Sequence, residues 1–207
     1  MARTKTSRAW MREHVNDAYV KRALSEGYRS RAAYKLAQIA ERDKLFKPGM
    51  TVVDLGAAPG GWSQVAAQRV APGGRVIAVD VLEMQGLAGV TVVRGDFGEA
   101  ATLTELERLL GEQAADLVLS DMAPNISGIA SVDQARAVAL AELALDFVSN
   151  HLKPGGNFLV KLFQGSGFEE FVKAARRHFG QVLIRKPEAS RSRSSEVYVL
   201  GKGLKCR

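Results

Sequence analysis

The stretch Asp54-Leu55-Gly56-Ala57-Ala58-Pro59-Gly60-Gly61-Trp62 carries the first decision about this chain. It closes the apolar run Thr51–Leu55 and opens a helical pattern over Trp62–Val70. Strand, glycine turn and helix in that order form the opening unit of an open α/β sheet. The glycines let the backbone turn tightly and come close to a ligand, and amides at a helix start can receive an anion. After Gly56 the dinucleotide spacing G-x-G-x-x-G is missing, and no phosphate-loop Gly-Lys-Ser follows.

A ligand with a carboxylate and a nucleoside but no phosphates suits such a turn, and S-adenosylmethionine is one. Two acids further along agree with it. Asp80 ends the next apolar run, where an acid accepts hydrogen bonds from ribose hydroxyls. Asp96 follows a third run in Arg94-Gly95-Asp96-Phe97, in position to accept from an adenine amino group.

Working outward, short apolar runs alternate with helical patterns. Strands are expected at Thr51–Leu55, Arg75–Val79, Val90–Val93, Asp116–Ser120, Asn157–Leu162, Val182–Arg185 and Val197–Leu200. Several are apolar throughout, as strands covered on both faces are. Thr102 with Glu105, Ser131 with Gln134, and Ser166 with Glu169 have the spacing of capping boxes. The second of these helices presents Leu140, Leu143, Ala144, Phe147 and Val148 on one stripe and is expected to stop at Lys153-Pro154-Gly155-Gly156. The third presents Phe168, Phe171, Val172, Ala175 and Phe179. The alternation predicts a mainly parallel, doubly wound α/β sheet.

Two helical stretches precede the first strand, one over roughly Arg8 to Glu26 that stops at Gly27, the next after Ser30 and carrying Lys35. Arg3, Lys5, Arg8, Arg12, Lys21, Arg22, Arg29 and Arg31 make this region basic, with Trp10, Tyr19, Tyr28 and Tyr34 interleaved. The whole chain has 29 Lys plus Arg against 22 Asp plus Glu, a net charge of +7, which favours an anionic partner such as nucleic acid. Arg185, Lys186, Arg191 and Arg193 form a second basic cluster, and a solvated basic face is the bland alternative for both. The 207 residues suit one domain: a basic helical extension over 1–48 and a catalytic core over 49–207. The single cysteine, Cys206, excludes an internal disulfide, and no segment is apolar enough to span a bilayer. His14, His151 and His178 lack ligand spacing, so no metal site is expected.

Two strand ends carry ionisable groups in apolar surroundings. Asp116–Ser120 leads into Asp121-Met122-Ala123-Pro124-Asn125, and Phe158-Leu159-Val160 leads into Lys161-Leu162-Phe163. A lysine inside an apolar strand is costly unless paired or functional. Both strands should empty into the crevice beside the glycine turn.

Here the chain resembles the FtsJ/RrmJ family of ribose 2′-O-methyltransferases. The likeness rests on Arg29–Leu36, Asp54–Ser63, Ser120–Asn125, Val160–Gly165 and Arg191–Tyr198, which together run along nearly the whole chain. It implies a Rossmann-like S-adenosylmethionine-dependent methyltransferase fold, a seven-stranded sheet with one antiparallel strand. It also implies a catalytic tetrad at Lys35, Asp121, Lys161 and Glu196. Asp54, Gly56, Gly60, Trp62, Asp80, Asp96 and Asp121 are the expected cofactor-binding set. Within the family the likeness is to bacterial enzymes that methylate a uridine in the peptidyl-transferase A-loop of large-subunit (23S) ribosomal RNA. That implies a monomer in the cytoplasm acting on the 50S subunit or its precursor late in ribosome biogenesis, with no membrane and no protein partner.

Methyl transfer to a ribose hydroxyl needs oxygen, methyl carbon and sulfur in line and a group to take the proton. Lys161 is the candidate general base, or else it orients the hydroxyl and takes its proton only as the bond forms. Alternatives are a transfer RNA or messenger-cap ribose as target, and an RNA-binding assembly factor without catalysis. A nicotinamide oxidoreductase is disfavoured by the missing dinucleotide spacing.

Overall fold

The computed structural model describes residues 17–206. Arg3, Lys5, Arg8, Trp10, Arg12, His14 and the start of the first expected helix lie outside the described residues. The described part of that helix, α1 (Ala18–Glu26), begins at Asp17, whose carboxylate accepts from the Tyr19 and Val20 amides. It ends where Gly27 takes the left-handed conformation at φ 75°. Helix α2 (Ala32–Asp43) follows and carries Lys35.

Seven strands form one sheet: β1 (Thr51–Leu55), β2 (Arg75–Asp80), β3 (Val90–Arg94), β4 (Ala115–Ser120), β5 (Leu152–Phe163), β6 (Phe179–Arg185) and β7 (Glu196–Leu204). Their order is β3-β2-β1-β4-β5-β7-β6. Neighbours from β3 through β5 are parallel, while β7 runs antiparallel to both β5 and β6. This is the expected mainly parallel sheet with one reversed strand. Helices α3 (Gly61–Val70), α4 (Ala100–Leu110), α5 (Ala130–His151) and α6 (Phe168–His178) complete the crossovers.

Successive strand residues face opposite sides, and each side has its own helices. Val52, Val76, Leu117 and Leu159 pack against α2 and α3 through Leu36, Ile39, Trp62 and Val65. Val53, Ile77, Val118 and Phe158 pack against α4, α5 and α6 through Leu106, Ala144, Phe147 and Phe171. The sheet is therefore doubly wound.

Several expected local features differ. None of the three capping boxes is a cap. Helix α4 starts earlier, at Ala100 with Glu99 as its cap residue, and Thr102 turns inward as a buried residue beneath Gly95, which has no Cβ to collide with it. Helix α5 is capped at Ile129, and α6 at Gly167 with φ 82°, neither with a side-chain hydrogen bond. The expected stop after α5 holds, but Lys153–Gly156 does not form a free loop. Those residues bulge within β5, where pairing jumps from Ala115 with Leu152 to Leu117 with Asn157. Phe179 ends the α6 stripe in space but belongs to β6. Leu143 faces outward, whereas Ala144, Phe147 and Val148 are buried as their spacing requires.

Candidate active site

The sheet order reverses direction between β1 and β4, and the carboxyl ends of β1 to β4 open there into a cleft of about 420 Å³. Gly56 enters from β1, Asp80 from β2, Asp96 from β3 and Asp121 from β4. Leu82, Phe97, Met122, Pro124 and Leu140 add apolar walls.

The glycine turn is built around close approaches. The Gly56 and Ala57 amides both donate to the Val79 carbonyl, at 2.9 and 3.1 Å, tying the turn to the end of β2. A Cβ on Gly56 would lie 2.8 Å from Met122 Cγ and 2.9 Å from Met122 Cα, and φ is +75°. Only glycine lets the β1 and β4 loops meet this closely. Asp80 orders both sides of the cleft: one oxygen accepts from the Ala58 amide at 2.9 Å, the other from the Leu82 amide at 2.8 Å. Asp96 accepts from the Gly98 amide at 2.9 Å.

Gly56, Asp80, Asp96 and Asp121 are thus brought together. Asp54, Gly60 and Trp62 are not among the residues that line the cleft. Asp54 is fully buried behind the turn, accepting from the Ser63 hydroxyl at 2.6 Å, and its other oxygen has no hydrogen-bond partner. Burial pushes its carboxyl up to about 7, against the Ser63 hydrogen bond, and the nearby Asp121 and Asp80 charges push the same way. Trp62 is buried too, its indole N–H donating to the Ala32 carbonyl at 2.8 Å. The expected anion-receiving helix start is faced by an internal carboxylate, that of Asp54.

Beside the cleft the four tetrad side chains converge from four elements. Lys161 on β5 places Nζ 3.0 Å from Asp121 Oδ1 and 2.5 Å from the Asp121 carbonyl oxygen. Lys35 on α2 donates to both Glu196 oxygens, at 2.7 and 2.8 Å. Because β7 is reversed, its first residue, Glu196, arrives at the sheet edge where the parallel strands end, opposite Phe163. Burial works against the Glu196 charge, yet the Lys35 ammonium, hydrogen bonds from Lys35 and Ser190, and the Lys161 charge together hold its carboxyl below the ordinary glutamate value.

Tyr198 joins the two pairs. It lies opposite Lys161 in the β5–β7 register, its hydroxyl is 3.3 Å from Asp121 Oδ1, and Lys35 Nζ is 5.9 Å from its ring centre. Burial raises the phenol well above its usual value, so it stays a neutral hydrogen-bond donor. Sequence reasoning passed over Tyr198, although period-two alternation from Glu196 puts it on the same face. It also passed over Ser190, which donates to Glu196 at 2.9 Å, and the cleft walls Leu82 and Met122, which follow strand-end acids. A second concavity of about 230 Å³ is lined by Arg31, Lys35, Arg191, Ser194 and Glu196, so two tetrad residues, Lys35 and Glu196, border it.

The basic clusters are partly structural. Arg185 forms a double hydrogen bond with the buried Asp43, at 2.7 and 2.6 Å, and Lys186 donates to the Ser194 carbonyl. Arg31 pairs with Asp17 and donates to the Ala189 carbonyl. Tyr28 packs edge-on to Tyr34, with ring centres 5.4 Å apart. His151 stacks on Phe147, and His178 meets the Ser149 hydroxyl, so each has a neighbour within the fold.

This sheet order, with its cleft at the switch point, is the frame of an α/β methyltransferase. The chain belongs to the FtsJ-like methyltransferase family, which matches residues 28–204. It is 63% identical over 203 residues to a protein of Nitrosospira multiformis named ribosomal RNA large subunit methyltransferase E, with 98% of each chain covered. A protein of the same name from Azoarcus sp. is 62% identical, covering 99% of this chain and 100% of the relative. Among solved structures it is similar to one titled as a ribosomal RNA methyltransferase from Plasmodium falciparum. The TM-score is 0.79 and the identity 26%, over 87% of this chain and all of the other.

Proposed function

We propose that this protein transfers a methyl group from S-adenosylmethionine to the ribose 2′-hydroxyl of a uridine in large-subunit ribosomal RNA. The target is the A-loop, and the substrate is the 50S subunit or its late precursor. The observation that carries the reading is that connected members of the tetrad line two different concavities. Asp121 lines the apolar and acidic cleft, and Lys35 and Glu196 line the basic one. Relatives of near-full length carry a large-subunit ribosomal RNA methyltransferase name, which supports the substrate class.

The cleft suits the cofactor on its own chemistry. Asp80 and Asp96 offer acceptors for ribose and adenine donors, apolar walls suit the adenine faces, and Gly56 lets the turn close against Met122 so that bare backbone lines the cleft. When bound, S-adenosylmethionine supplies an electrophilic methyl carbon on a sulfonium leaving group. Asp54 and Trp62 act from behind the turn, by holding its shape, and Gly60 by allowing its backbone conformation. Lys161 serves as general base at the ribose oxygen, fixed there by the Asp121 carboxylate oxygen Oδ1 and the Asp121 backbone carbonyl. Lys35 and Glu196, fastened to each other, orient the ribose. Residues 1–48 act as a basic extension of one catalytic domain, and the enzyme works as a cytoplasmic monomer.

The test is methyl transfer from labelled S-adenosylmethionine to undermethylated ribosomal subunits and to naked ribosomal RNA, with the modified nucleotide mapped. The expected outcome is label on a single large-subunit ribose, with binding that weakens steeply as salt rises. Label on transfer RNA or a cap instead, or salt-insensitive binding, would overturn the substrate assignment.

A further inference from the structure

Arg29 stands in the basic N-terminal region and reads in the sequence as one more candidate phosphate contact. Its surroundings assign it elsewhere. Its backbone amide donates to Gln64 Oε1 at 2.7 Å, and Gln64 Nε2 donates to the Gly27 carbonyl at 2.9 Å, so helix α3 fixes the base of the side chain. The guanidinium then reaches two other segments. Nη1 donates to the Pro59 carbonyl at 3.3 Å and to the Gln85 carbonyl at 2.8 Å, and Nη2 donates to the Gly86 carbonyl at 2.7 Å.

Pro59 belongs to the glycine turn. Gln85 and Gly86 belong to the loop after β2, the loop whose Val81 and Leu82 line the cleft and whose Met84 is buried against Ala57 and Ala78. One planar fork therefore bridges the two segments, which form adjoining walls of the cleft. Gly60 makes room for it: a Cβ there would lie 2.9 Å from Arg29 Nη1 and 3.1 Å from its Cδ. An ammonium on a flexible stem presents its donors from one point and cannot reproduce three carbonyl contacts from two separate nitrogens.

We propose that Arg29 is a positioning residue for the cofactor: it clamps the glycine turn to the β2–β3 loop and so presets the cleft for a nucleoside. The proposal rests on the reading that this cleft takes S-adenosylmethionine. It removes Arg29 from the RNA-contacting set and gives the segment joining α1 and α2 a task on the cofactor side of the molecule.

The experiment is calorimetric titration of S-adenosylmethionine into the wild type, Arg29→Ala and Arg29→Lys, alongside RNA binding at several salt concentrations. In Arg29→Ala the cofactor dissociation constant and its KM should rise about tenfold, the effect of losing hydrogen bonds from a charged group. Turnover at saturating cofactor should stay within a factor of about two, because the tetrad is untouched. Arg29→Lys should fall between, and it decides the matter if Arg29→Ala does not fold. The slope of RNA affinity against salt should be the same in all three. Unchanged cofactor affinity in both variants, or a shallower salt slope with weaker RNA binding, would overturn the clamp and return Arg29 to the phosphate contacts. A wild type that does not bind S-adenosylmethionine would instead sink the underlying reading of the cleft.

Discussion

Lys161 meets Asp121 twice, through a carboxylate oxygen at 3.0 Å and through the backbone carbonyl at 2.5 Å. The second contact survives any change to the Asp121 side chain. The lysine is therefore aimed by main chain at the end of β4, and the carboxylate adds charge to a direction already set.

Removal of the Lys161 amino group should stop the chemistry and spare the cleft. Lys161→Ala is expected to lower kcat by about 10²–10⁴-fold, the range for a positioned proton acceptor, with cofactor affinity retained. Single-turnover methyl transfer beside calorimetric titration checks this. Near-normal turnover would reject Lys161 as the base.

Asp80 should govern cofactor affinity. It organises the Ala58 and Leu82 amides on both sides of the cleft, so Asp80→Ala removes the acceptor proposed for the cofactor ribose and loosens two walls. The dissociation constant for S-adenosylmethionine should rise about 10–100-fold, and an unchanged value would count against the assignment.

Asp54 should act on stability more than on affinity. Its carboxyl is raised to about 7 in the fold against an ordinary value of 3.8, so the native state holds the proton more tightly than the unfolded chain. Stability therefore declines as pH rises from about 4 to about 7. Asp54→Asn keeps an acceptor for Ser63 and should flatten that decline, as read from denaturation midpoints across pH. A variant with the wild-type profile would show that the group ionises without cost.

The Lys35–Glu196 pair has the opposite sign. Glu196 is held below its ordinary value of 4.5, so its contribution is complete above that pH and is lost as pH falls through the lower folded value. Glu196→Gln should remove this acid limb. Lys35→Met alone strands a buried carboxylate and should cost roughly 3–5 kcal/mol. The double variant Lys35→Met/Glu196→Leu should be more stable than Lys35→Met, a non-additivity that chemical denaturation measures.

Much of this was legible because the informative residues sit at strand ends. All seven strands lie at or around their expected positions; Asp80, Asp96 and Asp121 follow apolar runs, and Lys161 interrupts one near its end. What escaped depended on tertiary contact. Thr102 has the spacing of a cap, but the space left by Gly95 draws it inward. Asp54 belongs to the same motif as Gly56, yet strand alternation and the Ser63 hydroxyl place it behind the turn. Arg29 and Arg185 count as positive charge in a composition, while in space their guanidinium groups are committed to carbonyls and to Asp43. Nothing local distinguishes those arginines from ones left to solvent.

The place of β7 in the sheet has a consequence for synthesis. Strand β6 pairs with β7, and β7 is also its only link to the rest of the sheet among the described residues. A nascent chain that has not yet released residues 196–204 holds β6 as an unpaired strand and lacks half of the Lys35–Glu196 pair. Completion of the sheet and assembly of the tetrad are thus one event, timed by the arrival of the last strand. A prematurely terminated chain can have the glycine turn but not the assembled tetrad.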